Sequence, residues 1–302
     1  MLAPRLVIVV PVHGEIQYRS ANGAKLALAR GLDLVGLNSL CGRLQRTAAR
    51  TPVIRAVYCH EVLPALAAQF EEQVRHYRRH YAPVSYDDLL AFRSGSWPHD
   101  RPGLIIAFDD GWRCQAEVAA PILERHGFIG WFFLPVGFLE TPDADFVREH
   151  PRGADLVPMS WDDARRLDRR HVVGCHTYTH RTLPQITPGD VLEREIVFAK
   201  QRLEERLGHA VRTFCWVRGQ AESHYGASSL RLMRQAGFEV SFTSVSGLIR
   251  PSGSLLQLPR TNIEPRFPMW LVRFQLAPWL DLAHARRRRR IQSLANHAHL
   301  LA

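Results

Sequence analysis

The sequence predicts an α/β fold built on a parallel sheet or barrel. From residue 53 onward, short apolar segments alternate with longer segments of helical periodicity. The apolar segments lack alternating polar residues, so both faces of each strand are predicted to be buried, as in a parallel sheet covered by helices. Polar side chains also follow directly after four of the predicted strands. In parallel α/β folds the functional residues lie at these carboxyl ends.

The individual elements follow from these patterns and from residues that begin or end helices. The predicted strands span residues 53–59, 103–108, 128–134, 171–175, 211–216 and 239–243, and the predicted helices span 65–81, 116–126, 188–207 and 227–236. Ser85 and Ser160 are predicted N-caps, because acidic residues follow each of them in the first turn. Gly127, Gly208 and Gly237 stand where the last three helices are predicted to end.

The chain divides into three parts. Residues 1–51 form an N-terminal extension with a short apolar segment at 6–12 and an amphipathic helix at 37–50, and residues 52–267 contain the predicted barrel. Residues 268–302 form an apolar and aromatic tail that includes five successive arginines, 286–290. Such a tail is typical of a segment that lies on an anionic membrane surface. A C-terminal helix packed on the barrel explains the same pattern, and both alternatives stay open.

Composition excludes several classes of protein. The hydrophobic fraction of 46% and the charged fraction of 23% are those of a globular protein. The net charge of +10 is dispersed apart from the tail, and no nucleic-acid docking motif accompanies it, so nucleic-acid binding is not expected. Five scattered cysteines without a C-x-x-C pair argue against a disulfide framework. No segment is long enough to span a membrane, and the apolar segment at 6–12 lacks a small-residue cleavage site after it, so a cytoplasmic protein is expected. Peripheral contact at the inner membrane face is expected only if the membrane alternative for the tail holds.

The residues that follow the strands suit a metal site. The polar residues at these four strand ends are His60, Asp109, Asp110, His176, His180 and Arg218. Adjacent carboxylates repel each other unless a cation or a shared proton compensates them. His176 and His180 would share one face of a helical turn. Two histidines and one aspartate with an open position suit a catalytic zinc ion, and the second carboxylate could deprotonate water. The residues alone do not decide which aspartate binds the metal.

Several segments resemble the motifs of NodB-type polysaccharide deacetylases, carbohydrate esterase family four. The motif segments are Ile106-Ala-Phe-Asp-Asp-Gly111, His176-Thr-Tyr-Thr-His180, Phe214-Cys-Trp-Val-Arg-Gly219, Gly237-Phe-Glu-Val-Ser-Phe-Thr243 and Leu258-Pro-Arg260. Tyr58-Cys-His60 is similar to the Tyr-His element of a circularly permuted branch of this family. The resemblance extends over about residues 53–267 and implies a distorted (β/α) barrel.

The resemblance also implies a catalytic arrangement. Asp110, His176 and His180 would bind one divalent metal, with zinc the expected ion. Asp109 would be the general base, and Arg260 would keep it ionised and oriented. The implied activity is hydrolysis of the acetamide of an N-acetylated sugar in a polysaccharide, oligosaccharide or glycolipid, as in exopolysaccharide biosynthesis.

Other residues are assigned by the same resemblance. His60 would be the general acid that protonates the departing amine. A backbone N–H at Arg218 or Gly219 would donate to the oxyanion. Trp112 is not assigned by the resemblance. It is expected to pack or to line the groove, but its position directly after the metal loop also makes it the best candidate to stack on a sugar ring. The family usually has a Pro-Tyr pair where Val217-Arg218 stand here. The arginine could therefore contact a phosphate or carboxylate of the substrate, or point to solvent.

Alternatives of other classes remain. A catalytically inactive carbohydrate-binding protein of the same fold would lack one of the metal ligands or the base. The three ligands implied by the resemblance and the base Asp109 are all present. Deformylation of a lipid-linked amino sugar would use the same metal chemistry. The expected partner in each case is a carbohydrate, in the last case one attached to a lipid.

Overall fold

The computed structural model describes residues 23–47, 52–150, 156–221 and 223–291. The apolar segment at 6–12 and the tail beyond residue 291 lie outside these ranges. The strands within them are β1 (Ile54–Cys59), β2 (Ala82–Pro83), β3 (Gly103–Phe108), β4 (Gly130–Leu134), β5 (Val172–Cys175), β6 (Thr213–Cys215), β7 (Val240–Phe242), β8 (Leu248–Ile249), β9 (Leu256–Leu258) and β10 (Thr261–Asn262).

One parallel sheet forms a nearly closed barrel. Its strands follow the order β10-β1-β3-β4-β5-β6-β7-β9, while β2 joins β3 and β8 runs antiparallel to β1. The two ends of this row are β9 and β10, which are separated in sequence only by Pro259 and Arg260. The chain itself therefore holds the two edges of the sheet close together. The predicted α/β barrel is confirmed.

The helices surround the sheet in the alternating order that the sequence predicts. They are α1 (Gly23–Leu34), α2 (Leu37–Thr47), α3 (Ala67–His80), α4 (Tyr86–Arg93), α5 (Ala120–Arg125), α6 (Val136–Glu140), α7 (Asp145–Arg148), α8 (Trp161–Asp168), α9 (Gly189–Leu192), α10 (Ala199–Leu207), α11 (Ala227–Gln235), α12 (Met269–Leu276) and α13 (Trp279–Ala283). Both predicted N-caps are confirmed, because the Ser85 and Ser160 hydroxyls each accept a hydrogen bond from the backbone N–H three residues later.

Two buried clusters use opposite faces of the same strands. Trp131 and Phe133 of β4 pack with Phe242 of β7 in a cluster that takes side chains from β1, β3 and β6 as well. The intervening Phe132 and Leu134 belong to the larger cluster, which includes the helices. Because successive side chains of a strand point to opposite faces, the continuous apolar strands of the sequence follow directly from this double burial.

The C-terminal segment packs on the body of the protein. Leu271, Val272 and Leu276 of α12 are buried, and α12 contacts α1 and α2. Arg273 of α12 donates two hydrogen bonds to the carboxylate of Asp33 in α1, at 2.7 and 2.5 Å. The apolar part of the predicted tail thus matches the packed-helix alternative as far as residue 291. None of the helices in the described ranges is long and apolar enough to cross a membrane.

Candidate active site

Parallel strands bring the predicted site residues to one end of the barrel. Cys59 of β1 pairs in register with Phe108 of β3, so the residues that follow them start side by side. The N–H of Asp109 donates to the carbonyl of Cys59 over 3.1 Å, which continues this pairing. β5 and β6 are neighbours in the same sheet and end at the same edge. β5 is followed by residues 176–180, which contain both histidines, and β6 is followed by the loop that contains Arg218 and Gly219.

Asp109 forms a buried bidentate ion pair with Arg260. Nη1 of Arg260 donates to Oδ1 over 2.7 Å, and Nη2 donates to Oδ2 over 2.8 Å. Only 4% of Asp109 and 1% of Arg260 are exposed to solvent. The Nε–H of Arg260 also donates to the carbonyl of Thr243, and its guanidinium lies 4.3 Å from the ring centroid of Tyr58. These contacts hold the carboxylate in one orientation.

The charge of Arg260 decides the ionisation of this carboxyl. Burial on its own raises the pKa of Asp109, but the Arg260 guanidinium, followed by His176, lowers it below the ordinary value of 3.8. Asp109 is therefore ionised at neutral pH and able to accept a proton.

Asp110 lies between two imidazole nitrogens. Its Oδ1 is 3.1 Å from Nε2 of His180 and 3.7 Å from Nε2 of His176. Ligand atoms about 2.0–2.1 Å from a tetrahedral zinc ion are roughly 3.3 Å apart, so these spacings fit a common ion. The backbone of Asp110 has a φ of 76°, and that of Gly111 has a φ of 66°. These left-handed conformations turn the chain sharply directly after β3.

His176 is held in the state that a metal ligand needs. Its Nδ1 lies 2.7 Å from the carbonyl oxygen of Cys215, to which it can only donate. The lone pair of the neutral ring is then on Nε2, the nitrogen that faces Asp110. Burial lowers the pKa of His176 to about 4, against the opposing effect of Asp109, so the ring is neutral at physiological pH.

The prediction of a helical turn for the two histidines is wrong. Residues 176–180 form a loop in which Thr177 and His180 have positive φ angles of 66° and 58°. Glu195 accepts hydrogen bonds from both backbone N–H groups between these two residues, at 3.0 and 2.9 Å. Those N–H groups are therefore directed to a side chain and not along a helix. Glu195 belongs to the π-helical segment Glu193–Phe198, which the sequence pattern does not distinguish from an α-helix.

His60 is paired with a second carboxylate that the sequence analysis missed. Its Nδ1 lies 2.8 Å from Oε1 of Glu264, and both side chains are largely buried. Asn262 also donates to this oxygen over 3.0 Å. Burial alone raises the pKa of Asp110, whereas His180 and, more weakly, His60 lower it well below the ordinary value. The structure thus brings His60 together with the aspartates and gives its ring a fixed orientation.

The loop after β6 forms the rim of the site. Arg218 is exposed and has a φ of 57°, and the neighbouring Gly219 has a φ of 54°. A Cβ atom at Gly219 would lie 2.5 Å from the backbone nitrogen of Ser244, so only glycine fits there. The hydroxyl of Ser244 donates to the carbonyl of Arg218, and its N–H donates to that of Gly219. The role of this loop as an oxyanion donor stays a prediction.

The prediction that Trp112 stacks on a sugar is wrong. Its side chain is 0% exposed and packs against Phe138 and His150, with ring centroids 5.6 and 5.2 Å away. Phe138 of α6 and His150, which follows it, cover the tryptophan. The sequence pattern does not reveal that these residues lie next to Trp112.

His150 is a residue of the site that the sequence pattern did not identify. Its Nε2 lies 3.6 Å from Oδ2 of Asp110, although it follows no predicted strand.

Among the described residues, three groups bring potential metal ligands within 4.8 Å of one another. They are Asp110 with His176 and His180, Asp109 with His176 and Cys215, and His60 with Glu61 and Glu264. In the second group Asp109 is already bound to Arg260, and burial raises the pKa of Cys215 well above 9.0, so the thiol is protonated and a poor ligand. In the third group Glu61 is paired with Arg266. The first group has the best donor set, because two imidazoles and one carboxylate are the ligands that suit a catalytic zinc ion.

Comparison with known proteins identifies a family for the central part of the chain. Residues 98–241 match the family described as polysaccharide deacetylase, a segment that includes both aspartates and both histidines. No curated protein matches the sequence.

Solved structures show the same fold. The deacetylase PplD of Streptococcus pyogenes superposes with a TM-score of 0.61 at 19% identity, covering 74% of this chain and 99% of that one. IcaB from Ammonifex degensii gives a TM-score of 0.61 at 21% identity, covering 76% and 97%. The BpsB deacetylase domain from Bordetella bronchiseptica gives 0.58 at 14% identity, covering 70% and 96%. At these identities the likeness shows the fold alone.

Proposed function

Because the chain belongs to the polysaccharide deacetylase family, a family of hydrolases that cleave the carbon–nitrogen bond of acetamides, we propose that it is a metal-dependent N-deacetylase of an N-acetylated glycan. The observation that carries this proposal is the arrangement at one end of the barrel. Three potential ligands, Asp110, His176 and His180, lie beside an ionised aspartate that does not belong to their group. A divalent ion held by these residues would polarise the acetamide carbonyl and make water more acidic.

Asp109 and His60 carry out the two proton transfers of the reaction, one from water and one to the departing amine. Asp109 accepts the proton of the attacking water, since Arg260 keeps its pKa low and both its oxygens in place. His60 delivers a proton to the departing sugar amine, and Glu264 orients its ring. The loop at Arg218 and Gly219 supplies backbone N–H groups near the acetamide oxygen, where negative charge develops.

The rim of the site favours a glycan that carries negative charge. Arg287, in the helical segment 285–291, donates to the side chain of Gln220 over 3.1 Å, directly beyond the Arg218 loop. The charges of Arg218 and Arg287 both lower the pKa of His224, after the larger effect of burial. Two exposed guanidinium groups from distant parts of the sequence therefore flank one loop. A carboxylate of the glycan or the phosphate of a lipid-linked glycan would bind there.

The first experiment measures acetate release and metal content together. The purified protein is expected to hold about one zinc ion per chain, and to release acetate from N-acetylated glucosamine oligosaccharides. A His176→Ala variant should lose both the ion and the activity. An Asp109→Asn variant should keep the ion and lose acetate release, because the base is not a ligand.

The same assay separates the alternatives. Release of formate from an N-formylated substrate, without acetate from the N-acetylated one, would identify a deformylase. Zinc and glycan binding without release of either acid would identify a carbohydrate-binding protein. A wild-type protein that holds no metal after zinc is supplied would refute the proposal.

The charge preference has its own test. Arg218→Gln and Arg287→Gln should each raise KM for an anionic glycan about twofold to fivefold, with kcat unchanged, since exposed ion pairs contribute up to ~1 kcal/mol. Arg212→Gln is the matched control, because Arg212 is exposed but precedes β6 at the opposite end of the strand, where it pairs with Glu239. Equal KM values for anionic and neutral glycans in wild type and variants would contradict the preference.

A further inference from the structure

A third histidine, His150, approaches the other oxygen of the Asp110 carboxylate. His150 follows α7, and its side chain is 4% exposed. Its Nε2 lies 3.6 Å from Oδ2 of Asp110, whereas the two predicted ligand histidines approach Oδ1. The two oxygens of one carboxylate therefore have different neighbours.

The oxygen that His150 faces needs a hydrogen-bond donor. Oδ2 of Asp110 is buried and has no hydrogen-bond partner among the residues that the structure describes. A buried carboxylate oxygen without a donor is destabilising, and more so when the group is charged. A movement of a few tenths of an ångström by His150 would bring its Nε2 into hydrogen-bond range.

Packing fixes the direction of the His150 ring. The ring lies edge-on to Trp112 at 5.2 Å, to Phe138 at 5.6 Å and to His180 at 4.6 Å between centroids. Neighbours on three sides leave the imidazole little rotational freedom. Its approach to Asp110 is therefore set by the core and is not an accident of a mobile side chain.

We propose that His150 is a positioning residue of the metal site, which donates a hydrogen bond from Nε2 to Oδ2 of Asp110 and so directs Oδ1 to the ion. This inference rests on the proposed function. A role as a fourth ligand fits less well, because the group of ligand atoms within 4.8 Å comprises Asp110, His176 and His180 without His150. A fourth protein ligand would also close the position that a catalytic ion keeps open for water or substrate.

The test measures zinc affinity of the metal-free protein by competition with a chromophoric chelator. His150→Phe keeps a flat ring but removes the donor, and should weaken zinc binding about 10- to 100-fold, the usual effect of losing a partner of a metal ligand. His150→Gln keeps an N–H donor and should bind zinc within about threefold of the wild type. His171→Phe is the matched control, because His171 is also buried and packs against an aromatic ring, but it precedes β5 at the far end of the strand.

The absorption spectrum of the Co²⁺-loaded protein distinguishes positioning from ligation. At saturating Co²⁺, His150→Phe should keep the intensity of the wild-type bands, because the number of ligands does not change. Altered bands in both His150 variants, with equally weak zinc binding, would make His150 a ligand and overturn the inference.

The outcomes also separate this inference from the proposed function. Wild-type zinc affinity in His150→Phe would refute the positioning role and leave the deacetylase proposal intact. Absence of zinc binding in the wild type, or its survival in His176→Ala, would refute the metal site itself, and the positioning role with it.

Discussion

The ion pair between Asp109 and Arg260 should link stability to catalysis, and Arg260→Met tests this link. Methionine has a similar length and fills the same apolar surroundings, but it removes the charge and both hydrogen bonds to the carboxylate. The carboxylate of Asp109 would then be buried without its partner. Breaking a buried pair by removing one member costs about 3–5 kcal/mol, so we expect a loss of this size in the unfolding free energy at pH 7.

The same substitution should change the ionisation of the base. In the wild type Arg260, together with His176 and His60, outweighs the effect of burial and holds the pKa of Asp109 low. The stabilisation from this pair is therefore complete above the ordinary pKa of 3.8 and is lost as the pH falls through the lowered value. Without Arg260, burial raises the pKa of Asp109, and the base becomes protonated at a higher pH. The acid limb of the kcat/KM profile should therefore move to higher pH.

The assay combines urea unfolding of the metal-free protein with a pH–rate profile. The difference in unfolding free energy between Arg260→Met and wild type should shrink at acid pH, where protonation neutralises the lone carboxyl. Asp109→Asn combined with Arg260→Met completes a double-mutant cycle and isolates the pair energy. Arg260→Lys is the control for charge without the bidentate geometry. If Arg260→Met stays within about 1 kcal/mol of wild type at pH 7 and keeps its acid limb, the reasoning is refuted; a surface pair would behave in that way.

Three further predictions concern the neighbouring residues. His60→Ala should lower kcat about 10²- to 10⁴-fold and Glu264→Gln by a smaller factor, with zinc content unchanged in both; loss of zinc would mean that His60 acts as a ligand. The metal-free protein should lose up to about 3 kcal/mol of unfolding free energy as the pH falls from 6.5 towards 4. The reason is that the pKa of His176 is near 6.5 in the unfolded chain and about 4 in the folded protein. Urea unfolding over this pH range checks the prediction, and His176→Asn should lack this pH dependence. Gly219→Ala should lower the unfolding free energy by about 1–3 kcal/mol, since alanine would meet the backbone of Ser244 at a positive φ; an unchanged melting temperature would contradict the close approach.

The sequence predicts the strands well because burial on both faces leaves a clear apolar pattern. β3 and β1 differ from their predicted ranges by no more than one residue at either end. β6 is shorter than predicted, since it is described only from Thr213 to Cys215. The loops are less predictable. The spacing of His176 and His180 suits a helical turn, but the Glu195 carboxylate accepts the backbone N–H groups between them and fixes a loop instead.

The supporting residues of the site leave no local signal. Glu264 is 204 positions from its partner His60, and His150 follows α7, a helix outside the predicted strand–helix pattern. Such residues become visible only when the fold brings them together, and the sequence contains no periodicity that relates them. Trp112 shows the opposite error. Its position directly after the aspartates suggested contact with substrate, whereas its size and apolar surface favoured burial.

Arg260 shows how the closure of the barrel and the charge of the base depend on each other. The residue lies in the two-residue link between β9 and β10, at which the edges of the sheet approach each other. Its guanidinium is therefore directed into the barrel beneath Asp109, with Thr243 at the end of β7 as a further acceptor. A buried arginine at this point needs a carboxylate, and a buried carboxylate at the end of β3 needs a cation. The ion pair between Arg260 and Asp109 thus compensates two buried charges where the sheet closes. The same ion pair keeps Asp109 ionised, which is the state that the proposed reaction requires.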